Sequence, residues 1–97
     1  MFIKKEMMRM KGVFIISPNA YQDIVADILI QNGFQCTKMS TTGAFLNNGQ
    51  STIFTVTNDE NINKILRLLH NIKNNKPVEN LPNIFVFTTE VSDTFTI

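Results

Sequence analysis

Residues 37–54 gather the side chains best suited to holding a ligand without reacting with it. Thr37, Thr41 and Thr42 supply hydroxyls, Gly43 and Gly49 bracket a loop, and Phe45 and Leu46 stand together in its middle. A surface loop ordinarily avoids contiguous apolar side chains. The pair is therefore expected to cover something: a neighbouring subunit, the chain's own core, or a flat ligand. The glycines open backbone angles closed to other residues and let another group approach closely. Recognition by stacking and hydrogen bonding is the chemistry such a loop can do.

Other chemistries fit the chain less well. No Gly-Lys-Ser/Thr follows Gly43–Gly49 and no helix is expected there, so the loop is not a phosphate loop of that kind. His70 has no Cys, Asp or Glu at ligand spacing and reads as a helix-end or surface histidine. Cys36 is the single cysteine, which rules out an intrachain disulfide; with only Lys38 as a cationic neighbour on its face it reads as structural. Asp59 and Glu60 suit the positive end of a helix, and Lys64, Arg67 and Lys73 its negative end. Asp23 and Asp27 are like charges on a solvated face. No nucleophile and base can be paired, so no enzyme is expected and no catalytic or metal-ligating residue is assigned.

The 97 residues suit one domain, with an apolar fraction (43%) sufficient for a single core. A net charge of +1 without a basic stripe argues against a nucleic-acid polymer or a membrane surface as partner. No apolar run is long enough to span a bilayer, and the chain reads as cytoplasmic. Residues 1–10 are expected to be a disordered or extended segment, with Met10-Lys11 an alternative start.

Around the loop, the hydropathy pattern predicts β-α-β-β-α-β. Gly12–Ser17 reads as a buried strand. Ser17-Pro18-Asn19 starts a helix, with Asn19 and Gln22 at capping-box spacing. Tyr21, Ile24, Val25, Ile28 and Leu29 form its stripe, and Asn32-Gly33 closes it through a left-handed cap. Phe34–Thr41 and Ser51–Thr57 read as strands. Asn58 caps a second helix with Ile62, Ile65, Leu66 and Leu69 as its stripe. Asn71–Asn83 reads as loop, Ile84–Phe87 as the fourth strand, and Thr88–Ile97 as a tail.

This order is the α+β, ferredoxin-like sandwich, in which right-handed crossovers put both helices on one face. A sheet with its other face in water should alternate apolar and polar residues. These strands do not: Phe14 and Ile16 oppose Val13 and Ile15, Phe54 and Val56 oppose Ile53, and Phe85 and Phe87 oppose Ile84 and Val86. The second face must be covered by another subunit. Pattern alone predicts an oligomer and leaves its number open.

Asn32-Gly33-Phe34, Thr37-Lys38, Thr41-Thr42-Gly43-Ala44-Phe45-Leu46, Gly49 and Asn58-Asp59 together resemble the signature of the PII-like cyclic di-AMP receptor family, over about Lys11–Phe87. The resemblance implies a non-catalytic signalling protein: a homotrimer whose sheets pack inward and whose clefts between subunits bind cyclic di-AMP, with no cofactor. Carried over by position, Phe45 and Leu46 line the adenine pocket and Thr37 meets polar groups of the ligand. Thr42 and the backbone at Gly43 and Ala44 complete the pocket, Gln50 holds a family Asn position, and Phe85 contributes from the fourth strand. A protein partner is implied but not identified.

Four departures stand beside these matches. Gln35 occupies a position where the family commonly has Arg, Ala44 one where it has Gly, and Val56 a further Gly position. The loop before the last strand, Lys73–Asn83, lacks the family's long insertion. Two functions therefore remain open: a trimeric cyclic di-AMP receptor, and a PII-like trimeric interaction protein that has lost the nucleotide or binds another small ligand.

Overall fold

The computed structural model describes residues 10–39, 50–75 and 84–91. In chain order these form β1 (Met10–Pro18), α1 (Asn19–Gln31), β2 (Thr37–Met39), β3 (Gln50–Asn58), a 3₁₀ turn (Asp59–Asn61), α2 (Ile62–Asn75) and β4 (Phe85–Val91). The sheet order is β2-β3-β1-β4 and every neighbouring pair is antiparallel. This is the expected ferredoxin-like arrangement.

Strand alternation sorts the side chains. Val13 and Ile15 of β1 and Ile53 of β3 point to one face. There they meet Tyr21, Val25 and Leu29 of α1 and Ile65, Leu69 and Ile72 of α2. Each such burial contributes about 1.5–3 kcal/mol, which is what fixes both helices to this face. Across the edges of the same face, Lys11 pairs with Glu90 at 2.7 Å and Lys38 with Asp23 at 3.1 Å. The Lys11–Glu90 hydrogen bond raises the lysine's pKa and lowers the carboxylate's.

Element ends depart from expectation where local polarity is misleading. Pro18 occupies the N-cap of α1, and no side chain caps it. The expected capping box does not form. Asn19 lies inside the helix, and its carboxamide oxygen accepts a hydrogen bond from the Ser51 hydroxyl. The C-terminus behaves as predicted. Gly33 adopts φ +89, its N–H donates to the Ile30 carbonyl at 3.0 Å, and the Phe34 N–H donates to Leu29, also at 3.0 Å. That pair of bonds is the Schellman motif. It draws Phe34 into the core, so β2 starts at Thr37 rather than Phe34; residues 40 and 41 lie outside the described residues.

Asn58 adopts an extended N-cap geometry but makes no side-chain cap bond, and Asp59 and Glu60 fall in the 3₁₀ turn that precedes α2. Asn71–Asn75, expected as loop, continue α2 because Ile72 extends the buried stripe one further step from Leu69. β4 runs to Val91 rather than Phe87, because β1 itself begins at Met10 and supplies partners: Met10 opposes Val91, Lys11 opposes Glu90 and Gly12 opposes Thr89.

Gly12 is required by close approach. A Cβ built there would lie 2.9 Å from Thr89 Cγ2 and 3.1 Å from Phe54 Cε1. Gly12→Ala is expected to cost about 1–3 kcal/mol by overpacking. Adding Thr89→Ser removes the nearest atom and should recover part of the lost denaturation midpoint. An unchanged midpoint for Gly12→Ala alone would refute the tight contact.

Candidate functional site

The face of the sheet opposite the helices carries the candidate residues that are described. Registers place Thr37, Phe54, Phe14 and Phe87 in one row across it. The next row holds Met39, Thr52, Ile16 and Phe85, with Gln50 following Thr52 on the same side of β3. The Phe14 and Phe54 rings stack at 4.8 Å with a 45° tilt. Phe85 and Phe87 remain 48% and 54% exposed while Phe14, Ile16 and Phe54 are half-buried, so the apolar second face anticipated from the strands is partly open. Thr52 buries its hydroxyl in this face without a hydrogen-bond partner among the described residues.

Thr37, Gln50 and Phe85 thus share a face but not a pocket. Thr37 lies on the edge strand β2 and Phe85 on the opposite edge strand β4, three strand spacings or about 14 Å apart. One base cannot touch both within a single chain. Thr42, Gly43, Ala44, Phe45 and Leu46 lie outside the described residues.

Two concavities flank this face. One, of about 500 Å³, lies between α2 and β4, with Leu66, Leu69, His70, Ile84 and Phe85 in its walls. The other, of about 320 Å³, opens where α1 ends, with Phe34, Gln35, Val56, Thr57, Asn61 and Lys64 in its walls. It joins the two sides of the sheet, since Val56 alternates onto the open face and Thr57 onto the helix face. Both positions that depart from the family pattern in this region, Gln35 and Val56, therefore line one groove.

Lys64 was assigned above to the negative end of the second helix. The helix begins at Ile62, so Lys64 lies in its first turn, and only Lys73 occupies the last. Its ammonium sits 5.8 Å from the centre of the Phe34 ring. Sequence periodicity missed this residue because the helix start was not sharply defined by Asn58-Asp59-Glu60. Cys36 is half-buried, and desolvation pushes its thiol up, away from the reactive thiolate. Among the described residues no group of His, Cys, Asp and Glu could hold a metal ion. No helix among them is long and apolar enough to cross a membrane.

The domain is thus an antiparallel ferredoxin-like sheet with helices on one face and an aromatic, hydroxyl-edged second face. The sequence profile of the cyclic-di-AMP receptor matches residues 10–93, and the chain belongs to that family. Solved structures agree on the fold. A functionally unknown protein from Pediococcus pentosaceus superposes with TM-score 0.72 at 22% identity, covering 93% of this chain and 99% of that one. A conserved bacterial protein from Eubacterium ventriosum gives 0.62 at 25% identity, covering 82% and 97%. CPII, a nitrogen regulatory PII-like protein from Thiomonas intermedia bound to ADP, AMP and bicarbonate, gives 0.61 at 17% identity, covering 91% and 96%. Among curated proteins, none matches this sequence.

Proposed function

We propose that the chain, as one domain, forms a homotrimeric cytoplasmic receptor that binds cyclic di-AMP in clefts between subunits and signals through altered contacts with a protein partner. The observation that carries this reading is the separation of Thr37 and Phe85 on opposite, exposed edges of one apolar face. A neighbouring copy laid against that face can bring its Phe85 edge to the Thr37 edge of the first, which no single chain can do. Thr42, Gly43, Ala44, Phe45 and Leu46 then enclose the adenine, and Gln50 and Thr37 meet polar groups of the ligand. Family membership supports the choice of nucleotide.

Titration calorimetry with cyclic di-AMP, with ATP and cyclic di-GMP as controls, tests the reading. Saturation near one ligand per chain, selective for cyclic di-AMP, is expected. Phe45→Ala should then weaken binding by the worth of one stacked base, about 1–3 kcal/mol; equal affinity would remove the pocket assignment. Val56, a branched side chain 41% exposed in the groove beside Gln35, favours the second reading, an interaction trimer without the nucleotide. That reading predicts a stable oligomer and no heat with any of the three nucleotides.

A further inference from the structure

We infer that Lys64, on α2, supplies the cationic contact to the phosphate part of the bound nucleotide, through the groove it shares with Gln35 and Val56. This deepens the receptor reading and rests on it. The groove's walls hold Lys64 as their cation and no carboxylate among the described residues. Lys64 makes no ion pair among the described residues, and Glu60, one turn earlier, is not bonded to it. Its place in the first turn of α2 is unfavourable for a cation with respect to the helix macrodipole. What holds it is the face of Phe34, which the Schellman motif anchors in the core. A cation over an aromatic ring, desolvated on one side and without a counter-ion, has its remaining donors free for an anion.

The groove also has the right continuity. Val56 carries it onto the open face, and Thr37 stands in the adjoining row opposite Phe54, two residues beyond Gln35 on the same chain segment. An anion in the groove is therefore next to the hydroxyl expected to meet the ligand. Gln35, exposed and making no side-chain hydrogen bond among the described residues, contributes a neutral amide donor just before β2. The charge comes from the helix. A ligand with an ionised phosphodiester or pyrophosphate group fits; an uncharged nucleoside does not use Lys64.

Wild type, Lys64→Gln and Lys64→Arg are titrated with cyclic di-AMP by calorimetry, and the Lys64 side-chain signals of the wild type are followed by NMR during addition of pyrophosphate or adenosine. Lys64→Gln is expected to lower cyclic di-AMP affinity roughly 10- to 100-fold, as for loss of a charge-assisted bond. Lys64→Arg should keep most of the affinity, and the wild-type affinity should fall with added salt. Equal binding by Lys64→Gln overturns the assignment while leaving the receptor reading intact. Absence of cyclic di-AMP binding by wild type removes the receptor reading, and the pyrophosphate arm then decides. Lys64 shifts with pyrophosphate but not adenosine sustain the anion groove; no shift overturns it.

Discussion

Phe87→Glu is expected to abolish self-association while leaving the chain folded. Phe87 lies in the row with Phe14 and Phe54 on the face away from the helices, and 54% of it is exposed in the single chain. Its side chain therefore contributes little to the core formed by Val13, Ile15 and Ile53. In an oligomer that covers this face, the glutamate would be taken out of water among aromatic rings with no cation opposite it. The effective penalty for an unpaired buried charge is several kcal/mol, and a cyclic homo-oligomer meets it at every interface. Each 1.4 kcal/mol is tenfold in the association constant, so even micromolar samples should sediment as single chains. Asp27→Lys, a charge change on the exposed side of α1, is the control and should leave the assembly unchanged. Far-UV dichroism of Phe87→Glu should match the parent. An unaltered sedimentation coefficient for Phe87→Glu would show that the open face is not the interface.

The second large effect is on stability. Ile15 sits on a central strand, fully buried, between Ile53 on β3 and Val86 on β4. Ile15→Ala removes methyl groups from a site whose neighbours are held by two ladders of backbone hydrogen bonds, so the cavity cannot collapse easily. A cost of about 2–5 kcal/mol is expected. With a total stability of roughly 5–15 kcal/mol for a domain of this kind, that is a large share. The melting temperature should fall by roughly 4–8 °C for each kcal/mol lost. If folding is coupled to assembly, the fall should be smaller at high protein concentration, because the folded copies alone associate. A drop of only a degree or two would mean that the packing around Ile15 is loose.

Much of the fold was legible because its strongest signals are periodic. The two-sided strands around Phe14, Phe54 and Phe87 announced a sheet with a second face to cover, and Asn32-Gly33 announced the helix end. What escaped lay where polar residues serve a tertiary neighbour. Asn71, Asn74 and Asn75 looked like loop, yet one buried residue among them, Ile72, is enough to carry α2 onward. Thr88, Thr89 and Glu90 looked like tail, yet Met10, Lys11 and Gly12 offer them a strand to pair with. Asn19 had the composition of a cap and was recruited by Ser51 from a distant strand. The site was less legible than the fold for the same reason. Thr37 and Phe85 could be named from a pattern, but their lying on opposite edges is a property of strand order, which periodicity does not contain. Lys64 carried no motif at all; only the point where α2 begins separates a helix-end cation from one facing a groove.

The pairing of Met10 with Val91 has a mechanical consequence. The chain enters β1 and leaves β4 at neighbouring points of the same sheet end. Tension applied between those two points acts across the strands, not along them, so it loads the β1–β4 hydrogen bonds one pair at a time. Such a ladder opens like a zipper, from Met10 and Val91 toward Ile16 and Phe85, and never meets the collective resistance of strands sheared past each other. The domain can therefore be peeled from this corner by a modest pull.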